Sequence, residues 1–200
     1  MGSAEAADKQ SAFRLPGWVL GWFYATAAIC TYDASFIVLR PHSLPGGKLA
    51  PIWKPYTLYF DVDQRYKDVA DPFVYGISLF NYLEIILNII TIVLHYRSSR
   101  HTIPLAFTVT VMTFWKTLFY FYGFTETGGG APYRIGNTAM QEFFLVVIPN
   151  GFWVVVPFAV MVALWSRMVP GMLQGLADSS NNGYVTKGRG RGHVGHAKHA

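Results

Sequence analysis

Four apolar runs divide this 200-residue chain: residues 17–39, 72–96, 103–124 and 141–168. Polar residues interrupt each run at helical rather than alternating spacing. A helix needs about 20 predominantly apolar residues to cross a bilayer, and each run meets that length. The pattern therefore predicts an all-α integral membrane protein, a four-transmembrane-helix bundle. Arg40-Pro41 ends the first run, because proline disfavours a helical conformation in the residue before it. Trp18, Trp22, Tyr96 and Trp165 fall near run ends, where aromatic belts belong. The fourth run is long enough to tilt.

The polar positions inside the runs carry more information than the apolar ones. In the second run Ser78, Asn81, Glu84, Asn88, Thr91 and His95 are three or four residues apart. They share one helix face, opposite Leu, Ile, Phe and Val. In lipid such a stripe must turn toward other helices or a watery cavity. Amides and hydroxyls there can simply hold helices together. A carboxylate at mid-membrane costs about 2.5–3.5 kcal/mol on insertion scales, which makes Glu84 a candidate functional group. Asp33 lies in the first run, two turns before Arg40. Either it pairs with a loop cation at the interface or it shares Glu84's cavity. In the second case one acid donates a proton and the other accepts it, the division of labour of acid–base catalysis. The third run puts Thr113, Lys116, Thr117 and Tyr120 on one face, with Lys116 placed to neutralise an acid. In the fourth, Asn150, Trp153 and Pro157 share a face. An indole at this depth can face a cationic ligand or a carbocation, or it can simply pack. Pro149 and Pro157 loosen the backbone and widen the bundle.

Charge changes the picture only by orienting the chain. Lys9 and Arg14 precede the first run, Arg97 and Arg100 separate the second from the third, and Arg167 and the basic tail follow the fourth. The first loop offsets its cations with Asp61, Asp63, Asp68 and Asp71. Both termini are therefore expected in the cytosol. The single cysteine, Cys30, excludes an intramolecular disulfide framework and a multi-cysteine metal site. No metal and no cofactor is called for, and the basic excess lies in membrane flanks rather than in a nucleic-acid patch. No secretory signal is expected at the N-terminus. The expected organisation is a cytosolic segment over 1–16, a membrane domain over 17–170 and a disordered basic His/Gly-rich tail over 171–200. The aromatics of the long first loop are expected to cap the bundle, and Gly128-Gly129-Gly130 to be mobile. No GxSxG, P-loop, dinucleotide fingerprint or HExxH motif is present.

The order of motifs resembles the EXPERA family, which includes sterol isomerases and the sigma-2 receptor. The residues that carry the resemblance are Trp53-Lys-x-Tyr56, Asp63-x-Arg-Tyr66, Asp71-Pro-Phe, an acidic second helix and Asn150-x-x-Trp153-x-x-x-Pro157. It covers residues 17–168. Asp33 looks like the counterpart of the isomerase's helix-one Glu, and Asn150 and Trp153 match its helix-four pair. Ile29 stands where that enzyme has His, and Ser78 where it has a helix-two Glu. Glu84 and Asp33 resemble the acids of the sigma-2 receptor. The resemblance implies an endoplasmic-reticulum protein among membrane lipids, with a cavity for a lipophilic small molecule. One expected function is cofactor-free isomerisation or cyclisation of a sterol, isoprenoid or other apolar polycycle, with Asp33 and Glu84 catalytic. Ser78, Asn81, Lys116, Tyr120, Asn150 and Trp153 would then line the ligand site. The other is ligand binding without turnover. A homodimer is compatible with either.

Overall fold

A computed structural model describes residues 13–189, and side-chain surroundings through residue 169. Most of the N-terminal segment and the tail histidines at 193, 196 and 199 lie outside the described residues. Among the described residues every regular element is helical. The four long helices are α1, Gly17–Val38; α2, Pro72–Tyr96; α3, Thr102–Tyr122; and α4, Ile148–Arg189. The tail predicted over 171–200 thus overlaps the end of α4. The chain divides into two units after Leu164, and the polar core and its cavity belong to the first.

Among the described residues three stretches are long and apolar enough to cross a membrane: α2, α3 and Ala139–Val169, which contains the start of α4. α1 is not among them. Its 22 residues are long enough, but Thr26, Thr31, Asp33 and Ser35 dilute its apolar character.

α2 begins where local chemistry dictates. Pro72 occupies the first turn, where its missing N–H costs nothing, and the Asp71 carboxylate accepts from the Phe73 N–H. The helix buries its polar stripe: Ser78, Asn81, Glu84, Asn88, Thr91 and His95 are all inside. Leu79, Phe80, Leu83, Ile86 and Ile89 are exposed. Polar inside and apolar outside is the pattern a lipid solvent demands. α1 packs chiefly on α2, and α2 also on α3. Asn88 Nδ2 donates to Thr26 Oγ1 at 2.9 Å, and the Leu15 N–H donates to His95 Nδ1 at 2.9 Å. α4 meets its neighbours through aromatic side chains: Trp22 with Trp153 at 4.9 Å between centroids, and Phe114 with Phe158 at 6.2 Å.

Just before α4, Glu142–Val147 winds as a π-helix. Pro149 follows one residue later and has no N–H to give, which favours a wider hydrogen-bonding pattern in the backbone ahead of it. Asn150 Nδ2 donates to the Val146 carbonyl at 2.9 Å.

The first loop folds into short helical turns, Ala50–Tyr56, Thr57–Phe60 and Gln64–Tyr66. Its rings pack on α1 and α3: Phe36 stacks on Phe60 and Tyr66, within a cluster that includes Trp53, Tyr120 and Phe124. Arg65 is buried and binds Asp71 at 3.0 Å and the Gly123 carbonyl at 2.9 Å. The glycine triplet has a packing role. A Cβ at Gly130 would overlap the Gly123 carbonyl and the Arg65 guanidinium, and Gly129 has φ +71°.

Candidate functional site

A cavity of about 360 Å³ is walled by α1, the first loop, α2, α3 and α4. That volume falls within the roughly 300–1,000 Å³ of small-molecule pockets. Its apolar wall includes Ile29, Ile77, Pro55, Pro149 and Trp153. Its polar wall holds two hydrogen-bonded groups, one around Asp33 and one reaching Asp63 through Tyr120 and Tyr59.

Asp33 accepts three hydrogen bonds. Tyr56 and Tyr66 donate to Oδ1 at 2.9 and 2.8 Å, and Asn81 Nδ2 donates to Oδ2 at 3.2 Å. Asn81 turns its oxygen to Lys116, which donates to it and, at 2.5 Å, to Glu84 Oε2. The helical spacing of α2 makes this possible: Asn81 and Glu84 are one turn apart and meet one lysine from α3. Cys30 Sγ lies 3.9 Å from Glu84 Oε1. A second carboxylate, Asp63, is fully buried in the loop and accepts from Tyr120 and, at 3.4 Å, from Tyr59.

Burial sets the ionisation of the loop groups. Asp63 is pushed up to about 6 by burial, against the pull of the Tyr120 hydroxyl and of Arg65. Burial first, and then the Asp33 carboxylate, push Tyr56 and Tyr66 above the ordinary phenol range. Burial and Asp63 do the same to Tyr59. These phenols keep their hydrogens, which is consistent with their role as donors to the two carboxylates.

Of the residues singled out in the sequence, Asp33, Asn81, Lys116, Tyr120, Asn150 and Trp153 line the cavity. Ser78 and Glu84 are not part of its wall. Ser78 is buried, and its hydroxyl donates to the Val74 carbonyl at 2.9 Å. Glu84 is 1% exposed and engages Lys116. The stripe of α2 is about five turns long, whereas the cavity opens on only part of it. Tyr56, Tyr59 and Tyr66 join the wall from the loop, where the sequence suggests only an interfacial cap. The available signal is two opposite charges, Asp63 and Arg65, set among aromatics. Among the described residues no group of three His, Cys, Asp or Glu could hold a metal ion.

Compared with known proteins, the chain matches no family model, no curated protein and no solved structure.

Proposed function

We propose that this is a four-span, EXPERA-type membrane enzyme that moves a proton on an apolar substrate without a cofactor, isomerising a double bond or closing a ring. The observation that carries this reading is the placement of Asp33 and Lys116 on one wall of an apolar cavity, joined through Asn81. The Lys116–Glu84 pair would deliver a proton to the double bond, and Asp33 would then take one from the adjoining carbon. Trp153 on the cavity wall would stabilise a developing carbocation. α1 supplies the fourth span: its polar groups Thr26 and Asp33 are paired inside with Asn88 and Asn81. We place the protein in the endoplasmic reticulum membrane with both termini cytosolic, following the basic flanks.

A second reading, binding without turnover, is favoured by one observation. The network is paired without a substrate, with Asp33 holding three donors and Lys116 two acceptors.

Mass spectrometry of lipids co-purifying with the wild type and with Asp33→Asn separates the two. A precursor together with its isomer or cyclised product in the wild type, and the precursor alone in the variant, is expected for the enzyme. One unaltered compound in both supports a binding protein and sinks the enzyme.

A further inference from the structure

The hydroxyl hydrogens traced on the polar wall are already committed. Tyr56 and Tyr66 donate to Asp33, Tyr120 donates to Asp63, and Thr117 donates to the Thr113 carbonyl at 2.9 Å. Each hydroxyl has one hydrogen, so each of these oxygens offers a ligand only lone pairs. Asn81 is engaged at both ends, by Lys116 and by Asp33. Lys116 differs. An ammonium has three hydrogens, and Asn81 and Glu84 take two of them. The cavity thus presents many acceptors, one cationic donor, and beside it only the second amide hydrogens of Asn81 and Asn150.

This census discriminates among ligand head groups. A carbonyl can only accept, so it engages Lys116 and leaves the phenol oxygens facing lone pairs. A protonated amine can donate to Asp33 but stands one amide away from the Lys116 charge, and like charges in a poorly polarisable site repel strongly. A hydroxyl gives its hydrogen to a phenol oxygen or to Asp33 and takes one from Lys116.

We propose that the cavity selects a neutral apolar alcohol over the matching carbonyl compound and the matching amine, and that Lys116 and the Asp63–Tyr120 pair set this choice. The proposal rests on the reading of the cavity as a lipophilic-ligand site. Asp63 does not line the cavity. It is a positioning residue that draws the Tyr120 hydrogen away from the ligand. In Asp63→Asn the amide can donate as well as accept, so Tyr120 is free to turn its hydrogen toward the cavity.

The test is binding to the full chain in lipid nanodiscs, with tritiated farnesol and tritiated cholestanol as probes. Farnesal and farnesylamine, and cholestan-3-one and 3-aminocholestane, are the competitors. In at least one series the alcohol should bind about tenfold tighter than its carbonyl and amine analogues, the penalty of one buried polar group left unmatched. Lys116→Met should raise amine affinity toward that of the alcohol. Asp63→Asn should narrow the alcohol-to-carbonyl ratio, a change that general loosening of the fold would not produce because it weakens both alike. Tyr120→Phe removes the oxygen itself, should narrow the same ratio, and carries the test where Asp63→Asn does not fold. A carbonyl compound or amine that binds the wild type as tightly as the alcohol overturns the selectivity and leaves the ligand cavity standing. An unchanged ratio in Tyr120→Phe overturns the role given to Asp63. If no member of either series binds, the cavity is not a lipophilic-ligand site and both readings fall.

Discussion

Glu84 and Lys116 form a buried ion pair between α2 and α3, with side chains 2% and 16% exposed. Two charges taken out of water hold their place only while each compensates the other. Glu84→Gln should therefore destabilise the protein by about 3–5 kcal/mol, because it leaves the Lys116 ammonium without a counter-charge. Glu84→Leu combined with Lys116→Met should recover most of that loss, since an apolar pair needs no compensation. Thermal unfolding of the three variants in one detergent checks this. If Glu84→Gln melts with the wild type, Asp33 and not Glu84 is the charge that holds Lys116.

At the scale of elements, the first loop is a folded lid of aromatics clamped by Arg65 and threaded by Asp63. Burial raises Asp63 from 3.8 to about 6. Between those values the folded chain binds a proton that the unfolded chain has released, so stability falls as pH rises through roughly 4 to 6 and levels off above. The whole change is on the order of 3 kcal/mol. Unfolding of the wild type and Asp63→Asn between pH 4 and pH 7 should show the wild type gaining on the variant toward acid; a constant difference would mean that Asp63 does not titrate in this range. The turn after α3 makes a second, independent prediction. Gly130→Ala forces a methyl against the Gly123 carbonyl and the Arg65 guanidinium. The expected cost is about 1–3 kcal/mol, the range of overpacking, read as a lowered melting temperature.

At the scale of the whole molecule the number of crossings turns on α1. Three described stretches are apolar enough, and α1 matches the bilayer by length alone. At about 1.5 Å per residue its 22 residues reach across a core of about 30 Å. Three crossings put the termini on opposite faces, and four put them on the same face. Glycosylation acceptors placed at each terminus and in the first loop decide it. Modification in the loop alone is expected for four spans with cytosolic termini; modification at one terminus means that α1 does not cross.

Much of this was legible in the sequence. The bounds of α2 follow from Asp71-Pro72 at one end and the loss of apolar character after Tyr96 at the other, both local signals. The inward turn of Ser78, Asn81, Glu84, Asn88, Thr91 and His95 follows from their period and from lipid, which accepts no unpaired polar face. The halt of α1 before Pro41 follows from the proline ring. What periodicity could not supply was the partner of each polar group. A stripe specifies a face, but not the level on that face where a cavity opens, so Asn81 reached the wall and Ser78 and Glu84 did not. Asp33 is satisfied by Tyr56 and Tyr66 from 23 and 33 residues away, and Asp63 meets Tyr120 across 57. Those contacts depend on how the loop packs its rings against Phe36, and no local repeat encodes that. The sequence by itself determined the helices, their breaks and their polar faces, because these rest on neighbours within a turn. The tertiary structure alone decided which acids face the cavity and which oxygens carry free lone pairs, because those rest on chains that meet only after folding.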